Sequence, residues 1–186
     1  MANRDTPYGL KPRYPNKAKT SLYYIDSSAG NIFKGDPVKL ENDGAVAPGA
    51  EGNRIIGVAA AFLDSNKHAM ATPYHVTGTA GYAIVYDDPA EEFIVQCNSA
   101  TVAPAQTHVG NMFDIEYTSG NTTTGQSKCE LEFGAVPGAS TPAQCIVKQL
   151  APGFDCPGGA NAWGSWAKVI VQIEQHQLAA SLETGV

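Results

Sequence analysis

The chain has 186 residues, 43% hydrophobic and only 16% charged, with 19 Gly, 12 Pro and a formal net charge of −6. That length suits one domain with extensions and buries enough surface to fold without disulfide or metal staples. Gly and Pro stay below the level that marks disorder, and no run approaches the ~18 apolar residues of a membrane helix, so a membrane partner is not expected. The first residues, Met1-Ala2-Asn3-Arg4-Asp5, show no apolar signal-peptide core, so synthesis and initial folding are expected in the cytosol.

Residues 1–20 carry Arg4, Lys11, Arg13, Lys17 and Lys19 against Asp5 alone, a local charge of +4, while the remaining residues carry −10. Pro7, Pro12 and Pro15 bias this leader toward extended backbone and withhold ladder hydrogen bonds. It reads as an extended arm outside the core, able to reach on the order of 60 Å at ~3.3 Å per residue. Lys and Arg would attract an acidic partner, and Tyr8, Leu10 and Tyr14 would anchor it. The other readings are a disordered terminus, or a nucleic-acid contact that the acidic body disfavours, so no nucleic acid is expected.

Beyond the arm, 21–176 reads as a β-rich body and 177–186 as a tail, either a short helix or disordered. Ser21 to Ile25 is β-prone, and Asp43-Gly44 marks a hairpin between Val38–Leu40 and Ala45–Ala47. Arg54 to Leu63 is a strand covered on both faces, although Ala59-Ala60-Ala61 leaves a short helix open. Tyr74 to Tyr86 is expected to be a strand with a bend at Gly78 or Gly81. Asp87-Asp88-Pro89-Ala90-Glu91-Glu92 is expected to be a solvated hairpin end, before Phe93–Cys97 resumes.

Two alternating segments follow. Phe113, Ile115 and Tyr117 oppose Asp114 and Glu116, and Cys129, Leu131 and Phe133 oppose Lys128, Glu130 and Glu132, a hairpin joined by the polar loop Thr118–Ser127. Gln144 to Leu150 is another strand. The last places Val169, Val171 and Ile173 opposite Lys168, Gln172 and Glu174, with His176 on the polar side. Short strands separated by turns, without amphipathic helices, predict an all-β sandwich or barrel.

Catalytic signatures are thin. There is no GxSxG, P-loop, GxGxxG after a strand or HExxH, so no enzyme and no cofactor are expected. His68, His75, His108 and His176 are scattered, and Cys97, Cys129, Cys145 and Cys156 lack zinc-ligand spacing, so they read as small apolar fillers. The acidic turn could offer oxygens to a hard cation but lacks EF-hand spacing. Asn121-Thr122-Thr123 matches a glycosylation sequon and reads as a polar loop. Trp163 and Trp166 lie in a Gly-rich aromatic loop, 151–167, that serves either as a lid on the body or as an interface anchor.

Met1-Ala2-Asn3-Arg4-Asp5-Thr6-Pro7-Tyr8-Gly9-Leu10-Lys11-Pro12, Gly35-Asp36-Pro37-Val38-Lys39-Leu40, Ile55-Ile56-Gly57-Val58-Ala59 and Asp87-Asp88-Pro89 before Phe93-Ile94-Val95-Gln96 occur in order along the chain. Together they resemble the head decoration, or capsid cement, proteins of tailed bacteriophages. The resemblance implies a small β-barrel or β-tulip body on the outer capsid surface of the virion. Its partners would be the phage major capsid protein and neighbouring copies, as a homotrimer or a dimer. It also implies that the arm, through Arg4, Tyr8, Leu10, Lys11, Arg13 and Tyr14, crosses neighbouring capsid subunits. Alternatives are a tail or connector protein, a β-barrel carbohydrate-binding module using Trp163 and Trp166, and a zinc- or calcium-dependent enzyme.

Overall fold

A computed structural model describes residues 3–98, 102–134, 143–153, 156 and 160–179. The fold is all-β and sandwich-like, built mainly from two five-stranded antiparallel sheets. Its strands are β1 (Lys11–Pro12), β2 (Thr20–Ile25), β3 (Pro37–Leu40), β4 (Val46–Pro48), β5 (Gly57–Asp64), β6 (Gly81–Tyr86), β7 (Glu92–Gln96), β8 (Met112–Phe113), β9 (Ile115–Glu116), β10 (Glu130–Leu131), β11 (Cys145–Leu150) and β12 (Lys168–Ile173). One sheet runs β1-β7-β12-β11-β8, the other β2-β6-β5-β3-β4, and β9 with β10 forms a small third ladder.

The second sheet curls until Cα atoms of β4 come within 8 Å of β2. Every strand lines its interior: Ile25, Val38, Val46, Ala59, Phe62, Ala83 and Val85 are buried there together. The Asp43-Gly44 turn joins β3 to β4 as the sequence predicts, with Leu40 opposite Val46. The strand expected over Arg54–Leu63 begins at Gly57, and β5 is covered on both faces only at its start, where Val58 belongs to one core and Ala59 to the other; Ala60, Ala61 and Leu63 are half-buried. The alanine triple is a bulge, since the β5–β6 register slips between Ala59 and Ala61.

The larger core lies on one face of the first sheet. There Phe93, Val95, Val147, Val169 and Val171 meet Phe113, Ile115, Leu131 and Phe133. The two alternating segments pair as predicted, with Leu131 opposite Ile115, and Phe113 stacks on Phe133 at 4.0 Å between centroids. All four cysteines are buried.

Several expectations are corrected. The strand expected over Tyr74–Tyr86 begins only at Gly81. Before it, His75 bridges Ile32, and Gly78 takes φ +83, a turn conformation. The acidic turn at 87–92 is not a hairpin end: it carries the chain from β6 in one sheet to β7 in the other. His176 is 1% exposed and bridges Ile55 beyond the end of β12, so it does not lie on a polar face. Five residues of the aromatic loop, 154–155 and 157–159, and most of the expected tail, 180–186, lie outside the described residues.

Candidate functional site

The basic arm is where the structure departs furthest from expectation. Leu10 is 1% exposed and sits in the larger core, while Tyr8 is 6% exposed. The expectation of an arm outside the core is therefore wrong for these two side chains. Tyr8 covers Ile94, Ile170, Ala151 and Cys156 on the outward face of the first sheet. β12 is consequently buried on both faces, and its outward Lys168 and Ile170 face the arm instead of water. Each large apolar side chain covered this way contributes ~1.5–3 kcal/mol.

Polar contacts fasten the rest of the arm. The Asn3 side chain donates to the carbonyls of Ala162 and Ser165, at 2.8 and 2.9 Å, and accepts from the Ala162 amide. The Thr6 amide donates to Gln96 Oε1, and Gln96 Nε2 donates to Asp5 Oδ1 at 2.9 Å. Lys168, 1% exposed, donates from Nζ to the Arg4 carbonyl at 2.9 Å. Burial pulls its ammonium below the usual lysine range. β1 pairs with β7, placing Lys11 opposite Ile94, and Arg13 meets Glu92 at 2.6 Å.

Gly9 lets the arm pass between the sheets. It holds φ +72, and a Cβ there would collide with the Gly35 carbonyl and the Ser127 side chain. The Leu10 amide donates to that same Gly35 carbonyl at 2.9 Å, and the Gly35 amide donates to Ala59. The arm is thus sewn to both sheets at one point. Asp36, fully buried beside it, accepts from the Phe33 amide at 2.9 Å and faces Cys129 and Tyr117. Burial raises its carboxyl to about 6, and burial together with Asp36 raises the Cys129 thiol to about 12.

The exposed residues form a strip that begins where the arm leaves the first sheet. Tyr14 is 52% exposed, Lys17 and Lys19 are exposed, and β2 continues with Leu22 at 44% and Tyr24 at 45%. Lys17 lies over the Tyr14 ring at 5.9 Å, and Lys19 pairs with Asp88 at 3.0 Å while its side chain stays 81% exposed. Arg4 and Lys11 also keep exposed side chains, with the Lys11 ammonium 4.5 Å from the Tyr8 ring centroid.

The two tryptophans are not part of this strip. Trp163 packs half-buried against the larger core and donates its indole N–H to Gln106 at 3.0 Å, as a lid would. Trp166 is half-buried with φ +54. The predicted contact set therefore divides: Tyr8, Leu10 and Arg13 engage the chain itself, whereas Tyr14, Lys17 and Lys19 face outward. The sequence reading missed Leu22 and Tyr24. Their signal was an outward-facing Leu and Tyr at period two in a strand whose other face already carries Tyr23 and Ile25.

Among the described residues, no group of three or more His, Cys, Asp or Glu is arranged to hold a metal ion. Comparison with protein-family models, with curated proteins and with solved structures found no match to this chain.

Proposed function

We propose that this chain is a non-enzymatic structural protein of a tailed-phage virion, docking on the outer capsid surface and cementing adjacent major capsid subunits. The motifs it shares in order with head decoration proteins support this reading. The observation that carries it is the exposed strip Tyr14–Lys17–Lys19–Leu22–Tyr24, in which cations of the turn before β2 precede apolar and aromatic side chains on that edge strand. Such a surface fits a protein partner with an acidic, partly apolar face.

Cementing needs no reactive group. A protein that binds the assembled lattice and not the free subunits shifts assembly by mass action. A contact spanning two subunits gains further from effective concentration, repeated over every site on the shell. In this reading the folded-back arm is the brace: Leu10 and Tyr8 fix the point from which the strip projects.

The test is sedimentation of purified protein with shells that lack it. The full chain should pellet with the shells and raise their melting temperature. The triple variant Tyr14→Ala, Lys17→Glu, Lys19→Glu should pellet ~10–100-fold more weakly, since central aromatic and charge contacts dominate such interfaces. Undiminished pelleting of that variant would contradict the assignment of the strip.

A further inference from the structure

Beyond the end of β12 the chain crosses from the first sheet to the second along residues 175–179, and hydrogen bonds hold it there. The Ile55 amide donates to the Gln175 carbonyl at 2.9 Å, and the Gln177 amide donates back to the Ile55 carbonyl at 2.8 Å. The Gln177 side chain serves both polar groups of Leu40 in β3: its Oε1 accepts from the amide at 2.6 Å and its Nε2 donates to the carbonyl at 3.0 Å. His176 sits at the centre of this crossing and is 1% exposed. Its Nδ1 accepts from the Leu178 amide at 3.0 Å, and its carbonyl accepts from Arg54 Nη2 at 3.2 Å. A backbone amide only donates, so Nδ1 is bare and the ring proton sits on Nε2. Among the described residues Nε2 is enclosed and meets no acceptor.

We propose that His176 is a proton-sensitive clasp, and that gain of a second ring proton releases residues 175–179 from Ile55 and Leu40. The imidazolium carries N–H at both ring positions, so Nδ1 turns from acceptor to donor and faces the Leu178 N–H with no electron pair between them. An enclosed charge without a partner is costly, so the ring must move toward water. The two bonds to Ile55 bracket His176 on either side, and displacement of the ring therefore strains both. His75, also buried, is held the opposite way: its Nε2 faces the Thr79 carbonyl at 3.0 Å, an acceptor that suits the neutral and the charged ring alike.

The charged groups around His176 are Asp87 and Asp88 in the β6–β7 connection and Arg54 before β5. Burial holds the imidazole below its ordinary value, and Arg54 acts in the same direction, against the pull of the two carboxylates. Asp87 accepts from the Tyr23 hydroxyl at 2.8 Å, and Asp88 accepts from Lys19 at 3.0 Å; neither bonds Nε2 in the closed state. The closed state thus binds the second proton more weakly than the open one. Closure is complete above about pH 6.5 and weakens below it, by up to about tenfold per pH unit.

Native-state amide exchange of the full chain, followed by NMR and expressed as protection relative to the unstructured rate at each pH, reads the clasp residue by residue. From about pH 7.5 to about pH 5.5 the Gln177 and Ile55 amides should lose about tenfold in protection, the population gained by an open form whose imidazole titrates near 6.5. The β11–β12 amides should show no such loss. His176→Asn places Oδ1 where Nδ1 stands, keeps an acceptor for the Leu178 amide and does not titrate, so its protection should stay level over that range. His176→Ala lacks the acceptor and should leave the two amides weakly protected throughout. Level protection in the parent, an Asn variant that loses protection as steeply as the parent, or a loss shared equally by the β11–β12 amides would each overturn the clasp. Ring-nitrogen chemical shifts that place the proton on Nδ1 at about pH 7.5 would overturn it too.

Discussion

Asp36 is a carboxyl enclosed where the arm, the loop before β3 and the β9–β10 ladder meet. Its folded value, about 6, lies above the ordinary 3.8 because burial penalises the ionised form more than its hydrogen bonds favour it. The folded state therefore holds the proton more tightly than the unfolded one. The resulting stability is complete below about pH 4 and is lost as pH rises through about 6, on the order of 3 kcal/mol in all. Asp36→Asn keeps an acceptor for the Phe33 amide and removes the titration. The melting temperature of the parent relative to this variant should fall by several degrees between about pH 4 and about pH 7. A constant difference across that range would mean that Asp36 carries no such penalty.

At the scale of elements, the arm behaves as a strap belonging to the core. Leu10→Ala should cost ~2–5 kcal/mol, the usual range for emptying a buried leucine site, read as a shift of the denaturation midpoint. Deleting residues 2–13 should bare Ile94, Ile170 and Cys156, so Cys156 should react with a thiol reagent under native conditions while Cys145, inside the larger core, stays protected. Equal protection of Cys156 with and without the arm would contradict its role as a cover.

These elements also show what the chain discloses unaided. Alternation located the β9–β10 ladder and the Val169–Ile173 face, because period-two burial is written directly in Phe113, Ile115, Leu131 and Val171. It did not reveal that β12 is covered twice; Ile170 was the sign, an isoleucine on a face otherwise read as polar. Prolines and lysines made the leader look detached, since local preference carries no information about where Leu10 finds a pocket. The position of Gly9 became meaningful only once Gly35 and Ser127 stood against it. Of the candidate contact residues, the sequence read Lys17 and Lys19 as attracting cations and Tyr14 as an anchor, and all three are exposed. Leu22 and Tyr24 look like ordinary strand residues until their uncovered face is seen.

For the whole molecule, the low charge fraction and the exposed strip from Tyr14 to Tyr24 describe a surface suited to being covered. Residues 1–20 carry +4 against −10 elsewhere, but the basic leader is divided between internal bracing and an outward strip. A cement role follows if that strip meets capsid subunits many times over one shell. The most direct measurement is the copy number of this chain in purified particles, by quantitative mass spectrometry against the major capsid protein. Cementing predicts copies on the order of the number of capsid subunits. A number matching a single ring at the tail or portal, or absence from the particle, would contradict it.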